Sequence, residues 1–202
     1  SSLVNKILGH ERSIVTPMAG TTRDAIDTLF YRGDKAYTII DTAGIRKKKK
    51  VEDDVEYYSN MRAFDAVRRC DVCLLVVDSE EGLTEQDVKI IGYVHEQGKP
   101  SVIVMNKWDL IEKDTHTVNR FEEQLKEDLK FMDYYKSIYI SAKTGQRVEK
   151  MLAAVDEVYA NACFRVPTGE LNDLIGDAVR LQEPPSYQGR RMRVFFSSQV
   201  SV

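Results

Sequence analysis

Three cysteines in 202 residues are too few, and odd in number, for a disulfide framework. Two of them, Cys70 and Cys73, spell C-x-x-C, but the motif runs into the apolar stretch LLVV instead of opening a helix. Three residues apart on a strand, two thiols face opposite sides. The expectation is therefore two small buried residues, not a redox or metal pair. A run of about 18 apolar residues is also missing, which excludes a membrane-spanning helix, and the first residues carry no signal-peptide pattern. The expected location is cytoplasmic. Positive charge is not in excess: with a net charge of −3 the chain lacks a protein-wide electrostatic footprint for nucleic acid, and only local patches remain open. There is no internal repeat, and no low-complexity segment beyond one run of lysines.

What is there is core-forming material, 43% hydrophobic beside 30% charged residues. The length exceeds the about 100 to 150 residues of an ordinary domain, so a second module, or part of one, is expected. Leu3, Val4, Ile7 and Leu8 share one face of a helix over Ser1 to Gly9, with Gly9 as its stop. Thr16 to Asp24, TPMAGTTRD, reads as a loop. Asp27 to Asp41 reads as an antiparallel hairpin turning at Gly33-Asp34. Arg46 to Lys50 is a basic run followed by Glu52, Asp53 and Asp54, the usual make-up of a solvated loop.

From Val55 to Arg69 the pattern is amphipathic, and strand and helix then alternate. The spacing predicts strands at Val72 to Asp78, Ser101 to Met105 and Ser137 to Ile140. It predicts helices at Glu85 to Gln97, with Val88, Ile91 and Val94 inward, and at Thr117 to Phe131, with Val118, Phe121, Leu125 and Leu129 on one face. A further helix spans Arg147 to Ala162, carrying Val148, Leu152, Val155 and Tyr159. Continuous apolar strands between amphipathic helices make the class α/β, with a mostly parallel sheet covered on both faces. Beyond a linker near Arg165 to Thr168, Thr168 is expected to cap a helix stopped by Glu183-Pro184-Pro185, and Met192 to Val202 looks strand-like. So short a remainder does not readily bury its own core, and the expectation is that the chain ends inside its second module.

Four short motifs carry chemistry. In YTIIDTAGI, Asp41, Thr42, Ala43 and Gly44 follow an apolar strand, where a carboxylate meets the ligand crevice of an open α/β sheet and a glycine lets backbone N–H approach phosphate. Alone, D-x-x-G is usually a turn. Asn106, Lys107, Trp108 and Asp109 (NKWD) follow SVIVM. A carboxylate there accepts from N1–H and the 2-amino group of guanine, and facing adenine it would be left buried and unpaired. Asn106 would bridge base and neighbouring loops, and the Lys107 stem would lie over the base. Ser141, Ala142 and Lys143 (SAK) end the next strand with small residues that let backbone N–H reach a base oxygen. The GTTRD loop, Gly20 to Asp24, offers hydroxyls to a magnesium ion, with an N-cap or turn as the plain alternative.

Taken in order, threonine loop, strand-DxxG, strand-NKxD and strand-SAK, the chain resembles the translation-factor-like class of P-loop GTPases over residues 1 to about 160. The class's phosphate loop G-x-x-x-x-G-K-[ST] is not in the sequence. Ser1-Ser2-Leu3-Val4-Asn5 is similar to the residues after its lysine. The expectation is a cradle just upstream of Ser1, with Ser1 as a magnesium-binding hydroxyl and Ser2 beside it, and poor nucleotide binding by these residues alone.

Together with DTAGIRKKKKV and LNDLIGDAV…GRRMRVFFSSQVSV, the motifs resemble the bacterial double-GTPase family called Der or EngA. The match is to its second GTPase domain (1–162) running into the first part of an α+β KH-like domain (163–202). The resemblance implies a P-loop GTPase fold whose mostly parallel sheet carries one antiparallel hairpin strand, a preceding GTPase domain in the same polypeptide, GTP/GDP and Mg2+ as ligands, and a role with the 50S ribosomal subunit or its rRNA. It implies nucleotide contacts from Ser1, Ser2, Asp41, Thr42, Ala43, Gly44, Ile45, Asn106, Lys107, Asp109, Ser141, Ala142 and Lys143, metal contacts from Ser1, Thr22 and Asp41, and catalytic roles for Thr22, Asp41 and Gly44. The tail lacks the G-x-x-G clamp of an RNA-binding KH module.

Ile45 stands where Ras-type enzymes keep a water-orienting glutamine, and isoleucine offers no hydrogen bond. Relatives with GTTRD use K+, held by backbone carbonyls at about Thr16 to Met18; carried over, Thr22 is the first choice for the magnesium-ligating threonine and Thr21 the second. The resemblance thus implies a slow, potassium-stimulated GTPase; Lys47 to Lys50, ordinarily a solvated loop, follow Gly44, and the sharper expectation is that GTP positions these charges against ribosomal RNA. The alternatives are a nucleotide-gated scaffold with little turnover, and the tRNA-modification GTPase that shares GTTRD, whose helical surroundings the tail does not suit.

Overall fold

The computed structural model describes residues 2–9, 15–17, 27–40, 63–186 and 189–200. Contacts divide the chain into two compact units, Ser1–Tyr159 and Ala160–Val202.

In the first unit, helix α1 (Ser2–Leu8) ends as its pattern predicts. The Gly9 N–H returns to the Asn5 carbonyl at 2.8 Å, and a Cβ at Gly9 would lie 2.9 Å from that oxygen. Strands β1 (Val15–Pro17), β2 (Asp27–Arg32) and β3 (Lys35–Ile40) form an antiparallel sheet in that order. The hairpin turns at Gly33, whose φ of 60° suits a residue without a Cβ. Thr16 and Pro17 are strand, not the expected loop: β1 pairs Val15 with Phe30 and Pro17 with Thr28. Periodicity had too little to work on in three residues.

Helix α2 (residues 63–69) leads to β4 (Cys73–Asp78), α3 (Glu85–Glu96), β5 (Ser101–Asn106), α4 (Thr117–Asp128), β6 (Lys136–Tyr139) and α5 (Val148–Ala162). The order β4-β5-β6 is a parallel sheet. The parallel strands and the hairpin are thus both present, in two three-stranded sheets instead of one; no ladder joins β3 to β4 among the described residues.

Strand β5 is the axis of the unit. Its first five residues, Ser101 to Met105, are all buried, as a central parallel strand requires. Alternation sends Ile103 and Met105 to one face, with Ile90, Ile91 and Val94 of α3 and Leu125 of α4. Val102 and Val104 go to the other, with Ile7 of α1, Met151 and Leu152 of α5, and Phe30 of β2. A capping box starts α3: Thr84 Oγ1 accepts from Asp87 N–H at 3.2 Å and Asp87 Oδ2 accepts from Thr84 N–H at 3.0 Å.

Two expected core residues are not in the core. Val118 is 42% and Tyr159 49% exposed; each is on its helix's apolar stripe but in a terminal turn, Val118 in the first of α4 and Tyr159 in the last of α5. In α3, Ile90 is buried where Val88 is only half-buried.

The hairpin is tied to α5 by charge. Arg32 pairs with Glu149 at 2.6 Å, and Asp156 accepts from Lys35 Nζ and from Tyr37 Oη, each at 2.7 Å. Burial pushes the Asp156 carboxyl up, but the hydrogen bonds from Lys35 and Tyr37 outweigh it and leave the pKa below its usual value. A depressed folded-state pKa stabilises above the unfolded value, about 3.9 for Asp, and the contribution is lost as pH falls through the folded one. Asp156→Asn should therefore lose less of its urea midpoint than the parent between pH 5 and pH 3, a difference that paired denaturation curves measure.

In the second unit, α6 (Thr168–Leu181) begins after Pro167, and no side chain caps it. Thr168 is the first helical residue and not the expected cap. No α6 residue is fully buried. Asn172 clamps the returning chain, donating to Ser197 O and accepting from Ser197 N–H, both at 2.8 Å. Described residues 191–200 form no strand, although their apolar content looks strand-like. Pairing needs a neighbouring edge, and the side-chain clamp holds this segment instead.

Candidate nucleotide-base site

Three strand ends lie side by side at one edge of the parallel sheet. Asp78 of β4 is in register with Asn106 of β5, and Met105 with Tyr139 of β6. The hydroxyl and N–H of Ser79 both donate to Asn106 O, at 2.6 and 2.9 Å. The chain then turns sharply: Lys107 has φ of 62°, uncommon for a residue with a Cβ. Trp108 N–H donates to Ile140 O at 3.0 Å, and its indole, 2% exposed, packs on Phe121 and Tyr139. Burying Trp108 fixes the direction in which its neighbours Lys107 and Asp109 leave the strand.

The two sequence-predicted loops are joined directly. Asn106 Oδ1 accepts from the Ala142 N–H at 2.9 Å, so the side chain expected to bridge base and loops does bridge the loops. Ser141 is fully buried and Ala142 is 5% exposed, while Lys143 is exposed. The loop closes on itself through Gly145 N–H to Ser141 O at 2.8 Å and Thr144 N–H to Ser141 Oγ at 3.1 Å. Gly145 has φ of 85°, and a Cβ there would meet Lys6 Cε at 2.6 Å, so α1 also rests against this loop.

Asp109 is the centre of the arrangement. A hydrogen bond from Ser141 holds its carboxyl below the usual carboxylate range, against some desolvation, with Lys143 and Lys113 adding favourable charge. It is ionised at neutral pH and can only accept. Its Oδ1 is sealed from solvent and has no hydrogen-bond partner among the described residues. An unpaired, shielded acceptor is costly unless N–H groups from elsewhere reach it.

Asn106→Ala would strand the Ala142 N–H, which is buried. The expected cost is about 1–3 kcal/mol in chemical denaturation, with Asn106→Asp, which keeps an acceptor, costing less.

Sequence reasoning missed Asp78. Only 7% exposed, it pairs with Lys107 Nζ at 2.5 Å, and that contact raises the lysine's pKa. Its Oδ1 also accepts from Glu80 N–H at 3.1 Å. The signal was present in the sequence: an acid closing the apolar run CLLVVD, one strand away from Asn106.

Of the other predicted residues, Ser2 opens α1 and is exposed. Ser1, Thr21, Thr22, Asp41, Thr42, Ala43, Gly44, Ile45 and Lys47 to Lys50 lie outside the described residues.

Residues 1–107 match the family described as 50S ribosome-binding GTPase. The chain belongs to that family. Its membership covers α1 through Asn106 and Lys107, while Asp109 and the Ser141 loop lie beyond the matched segment. Over all 202 residues the family member is 53% identical to GTPase Der of Alkaliphilus oremlandii and 52% identical to GTPase Der of Clostridium tetani. It spans 46% of the length of each of these curated relatives. Among solved structures, Era in complex with MgGDPNP and a 16S ribosomal RNA segment superposes with a TM-score of 0.59 at 26% identity, over 77% of this chain and 51% of Era. A probable GTP-binding protein engB superposes at 0.58 with 22% identity, over 80% of this chain and 92% of its own, which shows the shared fold. The α/β fold of this 50S ribosome-binding GTPase family member is therefore that of the P-loop GTPases. No described helix is long and apolar enough to cross a membrane.

Proposed function

We propose that this chain supplies the guanine-reading site of a GTP-hydrolysing switch that works in assembly of the large ribosomal subunit. The observation that carries the reading is an ionised Asp109 carboxylate held by Ser141 beside the Asn106–Ala142 hydrogen bond that joins the two loops. Guanine presents two adjacent N–H donors to such a carboxylate, and adenine does not. Asn106 ties the two loops on either side of the base, Lys107 flanks the base plane while Asp78 holds its ammonium, and the buried Ser141-Ala142 pair keeps the loop close.

Phosphate and metal binding belong to the same reading. Ser1, Ser2, Thr42, Ala43, Gly44 and Ile45 would contact the phosphates, and Mg2+ would be held by Ser1, Thr22 and Asp41, with Thr22, Asp41 and Gly44 serving hydrolysis; these assignments rest on the motifs. Because Ile45 can orient no water, K+ near the first switch is proposed to supply the charge that an arginine finger supplies elsewhere. Residues 1–162 would be the second of two tandem GTPase domains and 163–202 the start of a KH-like domain, in a cytoplasmic protein that binds the 50S subunit or its rRNA. The similarity to GTPase Der and to the RNA-bound Era supports this reading.

Steady-state GTP hydrolysis by the intact protein, with and without 50S subunits and in potassium against sodium, tests it. Turnover raised by both the subunit and potassium is expected. Equal rates in the two salts would remove the potassium role. GTP-dependent subunit binding without turnover would favour the nucleotide-gated scaffold.

A further inference from the structure

Asp78 closes β4 and is fixed on several sides. The parallel ladder sets it beside Asn106, its carbonyl accepts from the N–H groups of Glu81 and Gly82 at 3.2 and 2.9 Å, and its Oδ1 accepts from Glu80 N–H at 3.1 Å. The turn that follows, with Gly82 at φ 71°, therefore wraps the acid and leaves it 7% exposed. With the backbone and one oxygen held, Oδ2 has a defined direction, and it meets the Lys107 ammonium at 2.5 Å.

Lys107 is held at its other end as well. Ser79 ties the preceding residue to β4 through Asn106 O, Trp108 N–H donates to Ile140 O at 3.0 Å, and Leu110 N–H returns to Lys107 O at 2.9 Å. Its φ of 62° is unfavourable for a residue with a Cβ and persists only where the surroundings impose it. Neighbouring strands lie about 4.8 Å apart, so a stem anchored by its backbone after β5 and by its charge at the end of β4 spans the gap between the two strand ends. The side chain is nevertheless 50% exposed, and the pinned stem keeps open surface at the sheet edge. Glu80 and Glu81 add charge near the ammonium, but both are exposed and follow the end of the strand.

We propose that Asp78 is the positioning residue for Lys107 in the guanine site: it pins the lysine stem across the mouth of the crevice before nucleotide arrives, and so sets how tightly and for how long the base is held. The inference rests on the guanine-site reading above. A long side chain immobilised on binding normally gives up its rotamer freedom at that moment. A lysine already fixed at both ends has lost that freedom beforehand, and a flat ring can settle against the stem without the cost. Choice of base stays with Asp109, because the Lys107 stem offers a ring surface contact and no hydrogen-bond pattern.

Charge and shape at Asp78 are separable. Asp78→Asn keeps the shape and an acceptor for Glu80 N–H but removes the ion pair, whereas Asp78→Glu keeps the charge and changes the shape. Calorimetric binding and release of guanosine, inosine and adenosine diphosphates are measured on the intact protein and on these variants, with urea midpoints to follow the fold. Asp78→Asn should bind guanosine diphosphate about 3- to 10-fold more weakly, chiefly through faster release, with the ratio of guanosine to inosine affinity unchanged. Asp78→Glu should release it within about twofold of the parent rate; a role in shape alone predicts the opposite order of the two variants. In Lys107→Met, which has no ammonium to hold, adding Asp78→Asn should change release no further. Unchanged release in Asp78→Asn, release from Asp78→Glu as fast as from Asp78→Asn, or further acceleration in the Lys107→Met background would each overturn the proposal. Equal affinity of the parent protein for guanosine and adenosine diphosphates is a separate result: it would remove the guanine site itself, and this inference with it.

Discussion

Asp109→Asn is expected to lower GTP affinity by about 10²- to 10⁴-fold and to raise affinity for xanthosine triphosphate above it. The argument is one of donors and acceptors. The carboxylate is ionised, with Ser141 on it and Oδ1 waiting unpaired in a shielded position. On the proposed reading, both donors that guanine offers on that edge would find acceptors. An asparagine presents an amide N–H2 to one of them, so one hydrogen bond is lost and a donor faces a donor. Xanthine carries a carbonyl in place of the 2-amino group, and the amide can donate to it. Displacement of a fluorescent nucleotide from the intact protein by each triphosphate measures the switch. Unchanged GTP affinity would remove Asp109 from base reading, whatever else the protein does with GTP.

Trp108→Ala should produce the largest loss of stability, about 3–5 kcal/mol by urea denaturation. The indole is 2% exposed, meets Phe121 edge-on at 5.1 Å and Tyr139 at a tilt at 4.5 Å between ring centroids, and belongs to the same cluster as Ile103 and Met105. Little around it can collapse into the space, because β5 is buried on both faces. The loss has a functional side. Lys107, on the left-handed turn at φ 62°, and Asp109 leave the strand on either side of this anchor. Trp108→Phe keeps most of the volume and should retain both stability and guanine preference, whereas Trp108→Ala should weaken both together.

The NKWD and SAK segments were legible because their chemistry and position are local. An apolar strand followed by Asn, Lys and an acid can be read in four residues, and the Asn106–Ala142 hydrogen bond joins the two loops as a bridging side chain should. Asp78 was not legible in that way: its role comes from lying in register with Asn106 across a parallel ladder, a long-range fact. Strand β1 was too short to show a period, and among the described residues its support is pairing with β2. The C-x-x-C reading placed both cysteines on one strand, whereas Cys70 follows α2, Cys73 opens β4 and both are half-buried; the two-residue bend at Asp71 and Val72 has no sequence signature of its own. Val118 and Tyr159 lie on the apolar stripes of their helices but in terminal turns, and periodicity marks the face of a helix without showing how far along it the core extends.

On the proposed reading, the sheet edge and the buried indole hold one carboxylate where the two N–H donors of guanine would meet it. Calorimetric binding of guanosine, inosine and adenosine diphosphates to the intact protein tests that claim most directly. Guanosine diphosphate should bind most tightly. Inosine diphosphate, which lacks the 2-amino donor, should bind about 10- to 100-fold more weakly, and adenosine diphosphate should show no measurable binding. Equal affinity for the guanosine and adenosine nucleotides would contradict the account.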